Sequence, residues 1–412
     1  MHIHGKYSRA TSKSLDLFNL EKYARLKGVN LLGTGDFTHP EWIKHLKENL
    51  SEDGTGVLKS KTGFPFLLQT EISLIYTQGR GRKVHNIVLA PSFDVVDQIT
   101  EYLLSRGRID YDGRPIFKIP CPEFIESLRN ISDKIEVIPA HCMTSHFGVF
   151  GSCSGFDSLK ECFLDQTKHV HAVETGISAD PPMLWRLKEN VNLVSFSDIH
   201  SFWPWRLGRE CTIFDFEKLS YDNLINSIRT GDRLVSTIET APEYGKYHWD
   251  GHRNCGIVFS PEESRKHNRI CPRCKKPLTI GVEYRIEELA KEEKGFRPKN
   301  AKPFSSLIPL SECLAFVLGK AVSTKTVWIE YNKLVNDSRS EFEILMNSSR
   351  DELLKLTGEK VVDIIIKNRS GGLKIKPGYD GVYGHIVLDD EVKEEDVTYE
   401  FGVSSQKSLS DF

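Results

Sequence analysis

From residue 1 to about 240, short β-branched runs alternate with helical patterns, and no other feature constrains the fold as strongly. Strands are predicted at 29–34, 66–76, 84–90, 135–140, 170–175, 192–197 and 233–237, with helices between them at, for example, 15–27, 123–129 and 221–229. Such alternation reads as an α/β domain built on a parallel sheet or barrel. The segment TQGRGRK between the second and third strands reads as a hairpin turn.

The strand ends carry the chemistry. His2 and His4 form H-x-H, Asp36 ends GTGD, and Glu71 lies in LLQTEIS. His85 lies in VHNIVLA, His141 ends VIPAH, and Asp198 and His200 form D-x-H in VSFSDIH. In a strand, residues i and i+2 point to the same side, so each spaced pair offers two ligands to one ion. The two oxygens of Glu71 suit a bridge between two ions. Imidazole with carboxylate is a donor set for zinc, manganese or iron. In a parallel barrel the strand C-termini open on one face, where these residues would converge. Any one of these histidines alone is more often structural or exposed than a ligand. Repeated His, Asp and Glu at separate strand ends are harder to explain as core filling, because a buried unpaired charge costs several kcal/mol.

A second donor set is local. His252 and Cys255 form H-x2-C, and Cys271 and Cys274 form C-x2-C after fifteen intervening residues. Four such ligands give the closed tetrahedral shell of one structural zinc. His248 and His267 are alternatives to His252. Nine cysteines with no regular framework, three of them in this cluster, fit a reducing cytosol rather than secretion.

The formal net charge is −2, so any nucleic-acid contact must come from local patches. The zinc module carries Arg253, Arg265, Lys266, Arg269, Arg273, Lys275 and Lys276, and the hairpin tip carries Arg80, Arg82 and Lys83. A charge run is usually a solvated face; in a chain that acted on nucleic acid it would be a phosphate-contacting surface. Trp203, Trp205 and Arg206 follow the D-x-H and would stack on an unpaired base or wedge a duplex, their bland alternative being loop anchors. At the C-terminus, Gln406, Leu409 and Phe412 fit Q-x-x-L-x-x-F, part of a box that binds the PCNA sliding clamp.

No run of about 18 apolar residues spans a membrane, and the start MHIHGKYSRATSKS lacks the apolar core of a signal peptide, so a cytoplasmic location is expected. The 412 residues are expected to divide into a metal-binding α/β domain over 1–240, a zinc-binding module and linker over 241–302, a helical domain over 303–388 and an acidic flexible tail over 389–412. The helical domain rests on patterns at 311–318, 323–334, 340–346, 351–356 and 360–367.

HIH, GTGD, the Glu71 strand, the AH at His141 and SDIH resemble, in order, the motifs of the PHP (polymerase and histidinol phosphatase) superfamily of metal-dependent phosphoesterases. That resemblance implies a distorted (β/α)7 barrel holding two or three divalent ions (zinc, manganese or magnesium) at the strand C-termini. GTGDFTHPEW, ETGISADPPMLWRL, SDIHSFWPWRLGRE, GKYHWDGHRNCG, ICPRCKKPLTIGVEYRIEELA and PGYDGVYG are similar to endonuclease Q, from residue 2 to about 385. Many PHP members have His directly after the second-motif Asp; here Phe37 stands there and His39 follows, which leaves His39 an open ligand.

Endonuclease Q implies a DNA repair enzyme that cleaves the phosphodiester 5′ to hypoxanthine, uracil or xanthine, with abasic sites as a further substrate. Metal-activated water would be the nucleophile, with Glu71, Asp198 and His141 at the centre of the chemistry; no Ser-His-Asp or reactive-Cys constellation is found. A damaged base would be flipped into a pocket, for which Glu174, Asp180 and PGYDGVYG are candidate lining. Two rivals come from other classes: a small-molecule phosphomonoesterase, which has no use for a zinc module or clamp-like tail, and a non-catalytic DNA-binding adaptor, which has no use for so full a ligand set.

Overall fold

The computed structural model describes residues 1–387; the tail and its Gln406, Leu409 and Phe412 lie outside the described residues. The predicted hairpin is present and longer than expected. Pro65–Gln78 and Arg80–Ala90 pair antiparallel and turn on Gly79, whose φ of +70° favours glycine. Glu136–Pro139 adds antiparallel to Arg80–Ala90, while Leu32–Gly33 and Ile116–Phe117 lie parallel to Pro65–Gln78. With Leu50–Glu52 and Leu58–Ser60 they make one seven-stranded sheet. Ala172–Glu174 pairs parallel with Asn192–Val194, and Cys211–Phe214, Leu234–Glu239 and Phe304–Ser306 form a third sheet.

Among the described residues the strand pairings make a mixed set of separate sheets, and no single closed (β/α)7 ring is traced by them. The one-residue turn at Gly79 forces an antiparallel pair where a parallel barrel needs a helical crossover. After Glu136–Pro139 the chain leaves the sheet, and a single bond from Cys142 N–H to the Glu174 carbonyl, 2.9 Å, joins that edge to the next pair of strands.

The strands nevertheless enclose a common interior. Leu67, Ile87, Leu89, Ile138, Ala140, Ala172, Val194 and Phe196 meet in one cluster, floored by Tyr221, Leu224, Ile225 and Ile228 of helix Tyr221–Thr230. Their neighbours Phe66, Leu68, Val88 and Ala90 point the other way, onto Val96, Ile99 and Leu103 of helix Phe93–Leu104. The same period of two carries the polar residues inward. Glu71 is four on from Leu67, His85 two before Ile87, Glu174 two on from Ala172, and Asp198 two on from Phe196. The interior is thus apolar at one end and lined with histidine and carboxylate at the other.

Residues 241–302 hold a hairpin, Asp250–His252 with Ile257–Phe259, then helix Pro261–Lys266, closed by a Ser260–Glu263 capping box, and helix Val282–Leu289. The helical patterns of the C-terminal domain appear as Leu310–Leu318, Lys325–Leu334, the π-turn Glu343–Asn347, Arg350–Leu354 and Glu359–Arg369. Two features cross the expected boundaries. Phe304–Ser306 pairs with Thr237–Glu239 of the first domain, and Tyr379 bridges to Trp249 of the Cys/His module. A buried ion pair, Lys27 Nζ to Glu341 Oε1 at 2.7 Å, fastens the helical domain to helix Leu17–Lys27. Among the described residues no helix is long and apolar enough to cross a membrane.

Candidate metal centre and nucleic-acid interface

Two groups of ligand atoms face each other across Glu71. His2, His4 and Asp198 form one, and Glu71, His85 and His141 the other, each with its donor atoms within 4.8 Å of one another. The Glu71 carboxylate joins them. Oε1 lies 3.5 Å from His2 Nε2, 2.9 Å from His85 Nδ1 and 3.2 Å from His141 Nε2, and Oε2 lies 3.2 Å from His4 Nε2. Asp198 Oδ1 lies 3.2 Å from His4 Nε2 and 3.5 Å from His2 Nε2.

Sharp turns aim these side chains. Asp36, His141 and Asp198 all adopt left-handed backbone, with φ of 38°, 31° and 45°. Non-glycine residues rarely do so, and such strain concentrates at functional sites. It turns the chain away at the end of each strand and leaves the side chain pointing into the interior.

The fit to a cation is shown by what stays unpaired. His2 Nε2, His4 Nε2 and Asp198 Oδ1 are buried and make no hydrogen bond. The opposite ring nitrogens are already engaged: His2 Nδ1 sits 3.0 Å from the Glu174 carboxylate and His4 Nδ1 3.0 Å from Asp36. A carboxylate behind a histidine fixes its orientation and frees its other nitrogen for a metal.

Two expected ligands are therefore placed differently. Asp36 stands behind His4, its carboxylate also accepting from Gly5 N–H at 2.5 Å and Ser8 Oγ at 2.8 Å, and it belongs to neither triad. His200 belongs to neither triad; its ring centroid is 4.6 Å from that of His4, and its Nδ1 is 3.7 Å from Asp198 Oδ1. His39 stacks on Tyr7 at 4.5 Å. Glu174, a candidate for the base pocket, instead braces the cluster through His2 and the His141 N–H, 2.6 Å away. Asp180 caps helix Pro181–Trp185, where burial raises its carboxyl to about 6.

Charge follows from the geometry. Burial opposes ionisation of Glu71 and Asp198, yet neighbouring His85, Arg114 and His2, and His2 with His200, hold their carboxyls well below the usual range. Burial also disfavours a charged His2, but Glu174, Asp198 and Glu71 overcome it and push its pKa up to about 10. Burial takes His85 and His200 down to about 4. A cation bound at these donors would displace any proton they carry.

Sequence reasoning missed Arg114. Its guanidinium reaches Glu71 Oε2 at 3.0 Å from the loop preceding Ile116–Phe117. The only available signal is the Asp112-Gly113 dipeptide, which marks a tight turn.

The Cys/His group is compact: His252, Cys255, Cys271 and Cys274 bring their donor atoms within 4.8 Å of one another. His248 lies instead beside Glu283, at 3.5 Å, and His267 stacks on Phe259 at 4.6 Å. The second knuckle is shaped by Lys275 in left-handed backbone, φ 61°, and by Lys275 N–H bonding the Cys271 carbonyl at 2.9 Å.

The basic and aromatic candidates divide. Arg82 is buried and spent within the protein, donating to Gln78 O at 3.0 Å, to Gly155 O and to Glu161 at 2.8 Å. Alternation along its strand turns it onto Phe156. Arg80 donates to Gly155 O at 3.1 Å, and Lys83 sits 5.6 Å from the ring of Phe147, which stacks on His85 at 4.2 Å. Trp203 and Trp205 stack on each other at 5.2 Å and both meet Trp328 of the helical domain, so these half-buried rings anchor that domain. Arg206 lies over Tyr383, 5.2 Å from its centroid. In the Cys/His module, Arg273 donates to Cys255 O at 3.0 Å and Lys275 is exposed. Of PGYDGVYG, Asp380 accepts from Arg253 N–H at 2.6 Å and Thr279 Oγ1 at 2.7 Å, which ties the segment to that module.

Comparison with known proteins places this geometry. A family model described as the MJ0043 C-terminal domain matches residues 309–372. The uncharacterized protein MJ0043 of Methanocaldococcus jannaschii is 32% identical over 253 residues, which are 60% of this chain and 31% of that protein. The chain thus spans about a third of the length of that relative. The uncharacterized protein YqxK of Bacillus subtilis is 27% identical over 399 residues, 92% of this chain and 94% of its own. The crystal structure of the lesion-specific endonuclease PfuEndoQ from Pyrococcus furiosus superposes with a TM-score of 0.84 at 29% identity, covering 96% of this chain and 97% of that one. Endonuclease Q in complex with a 27-mer duplex carrying an abasic lesion at its active site matches with a TM-score of 0.84 at 29% identity, covering 97% and 98%.

Proposed function

We propose, from a resemblance to endonuclease Q that runs over nearly the whole chain, that this protein is a metal-dependent DNA repair endonuclease. It cleaves the phosphodiester 5′ to hypoxanthine, uracil and xanthine, and acts at abasic sites. The observation that carries the reading is the pair of buried donor triads sharing Glu71, with the free nitrogens of His2 and His4 turned toward Asp198.

Divalent ions held by those triads would supply a hydroxide nucleophile near neutral pH and neutralise the leaving oxygen. The protein's share is to fix the donors. Glu71 spans the two triads; Glu174 and Asp36 set the tautomers of His2 and His4. The Cys/His module takes one zinc with no open coordination position, so it stabilises a surface carrying Arg273 and Lys275 rather than doing chemistry. Lys83 and Arg80 at the hairpin contribute to the DNA-facing side, and the C-terminal Gln406, Leu409 and Phe412 recruit the PCNA clamp.

A nicking assay on labelled duplexes containing inosine, uracil or an abasic site, with zinc, manganese or magnesium and with chelator, tests the reading. Lesion-dependent nicking that chelation abolishes is expected. Hydrolysis of small phosphate esters but not DNA would favour a phosphomonoesterase, and lesion binding without cleavage under any metal a DNA-binding adaptor.

A further inference from the structure

Arg114 reaches the shared Glu71 of the candidate metal centre without belonging to either donor triad. We propose that it is a substrate-binding residue that receives the scissile phosphodiester at the open side of the two triads; this rests on the nuclease reading above.

The loop that delivers Arg114 is built to hold it there. Asp112, nearly buried, accepts from Arg9 N–H at 3.3 Å and Arg114 N–H at 3.2 Å. Tyr111 OH accepts from Ile116 N–H at 2.7 Å. Gly113 presses directly on Asp36: a Cβ there would lie 2.1 Å from Asp36 Oδ2, so no larger residue fits without moving the carboxylate behind His4. Pro115 O accepts from Ser73 N–H at 3.1 Å, and Ile116 and Phe117 pair with Ser73 and Leu74, two and three residues on from Glu71. The loop is thus fastened to the strand that carries the shared ligand. Its guanidinium meets Glu71 while its side chain keeps 26% exposure, and the neighbouring Asp198 and His200 side chains keep 30% and 31%, so the site is open to solvent on this side.

Charge decides what that side is for. Four carboxylates surround the cluster: Glu71 and Asp198 within it, Asp36 and Glu174 behind it. Two divalent ions, one per triad, would balance those four. Arg114 adds one fixed positive charge at their rim, and a phosphodiester brings about one negative charge per nucleotide to meet it. A cation beside two metal ions is costly unless an anion lies between them, and a guanidinium offers a fork of donors to phosphate oxygens.

The test compares Arg114→Gln and Arg114→Lys with the parent, all metal-loaded, on a duplex with a single abasic site. Metal content per chain, the salt dependence of DNA binding and single-turnover nicking are measured. Arg114→Gln is expected to keep its metal, to lower the slope of log Kd against log salt by about 0.9, and to lose about 10²- to 10³-fold in nicking. Arg114→Lys should recover the slope but only part of the rate, because its ammonium lacks the planar fork. A parental slope and rate in Arg114→Gln would overturn the proposal. So would a loss of rate that follows a loss of metal with the slope unchanged, since Arg114 would then only hold Glu71 in place. If the parent binds but nicks no DNA, a slope lowered in Arg114→Gln still supports the phosphate contact while the nuclease reading falls.

Discussion

The chain holds two donor clusters of opposite design. The Cys/His group draws four ligands from residues 252–274, near the surface of a small module whose own core is Phe259, Cys271 and Leu278. The His/carboxylate cluster draws its ligands from residues 2 to 198, buried among the strands, with carboxylates behind its histidines and a guanidinium at its rim. A local cluster closes on its ion and gives stability. A cluster assembled across strands is positioned by the finished fold, so its ligands can be pre-oriented and still leave a side open. The same elements in opposite arrangement separate structural from reactive metal chemistry.

Breaking each cluster should therefore have different consequences. The largest effect is expected from Cys271→Ser. Structural zinc contributes about 10 kcal/mol or more to folding of such modules. The variant should lose one ion per chain and expose the backbone of the module to hydrogen exchange, while residues of Pro65–Gln78 stay protected. Asp198→Ala should do the reverse: nicking falls on the order of 10³-fold or more, and the fold, read by circular dichroism and thermal melting, is retained. If both variants simply unfold, the contrast between the clusters is wrong.

A smaller effect sharpens the distinction between ligand and orienter. Glu174→Gln keeps the shape but weakens the anchor on His2 Nδ1, so metal affinity and nicking should fall about 10- to 100-fold, less than for Asp198→Ala. Titration of metal-free protein with zinc, followed by nicking, checks the order.

The smallest effect concerns stability behind the cluster. Glu239 is fully buried, and burial raises its carboxyl from 4.5 to about 7 against the hydroxyls bonded to it, among them Thr175 and Ser195. A raised acid contributes stability that is complete below pH 4.5 and is lost as the pH climbs through about 7. Glu239→Gln, which cannot ionise, should gain on the parent across that window. Parallel melting curves from pH 4.5 to 7 would contradict this.

The two clusters were not equally legible in the sequence. Cys255, Cys271 and Cys274 announce themselves by spacing, because their ligation is made within one short segment; which of His248, His252 and His267 completes the set needed the hairpin at Asp250–His252. In the other cluster the residue types were readable along the strands: Glu71 and His85 lie mid-strand rather than at strand ends, turned inward by alternation, and Asp198 lies beyond the end of Asn192–Val194. Their division of labour was not. Asp36 and Asp198 look alike in sequence and share left-handed backbone, and only the finished fold sets Asp36 behind His4 Nδ1 and Asp198 beside the Nε2 atoms of His2 and His4. Arg114 was invisible, because its loop is tied to the Glu71 strand only in three dimensions. Arg82 misled for the opposite reason: a basic hairpin tip looks solvated, but strand alternation turns this side chain onto Glu161 and Phe156. The barrel was anticipated as an enclosure, while the single-residue turn at Gly79 made its sheet mixed.

Anomalous diffraction from crystals of the metal-loaded chain tests the central claim most directly. Peaks are predicted between His2, His4 and Asp198, between Glu71, His85 and His141, and among His252, Cys255, Cys271 and Cys274. A single peak at the cysteines, with His2 and His4 still paired directly to Glu71 and Asp198, would contradict it.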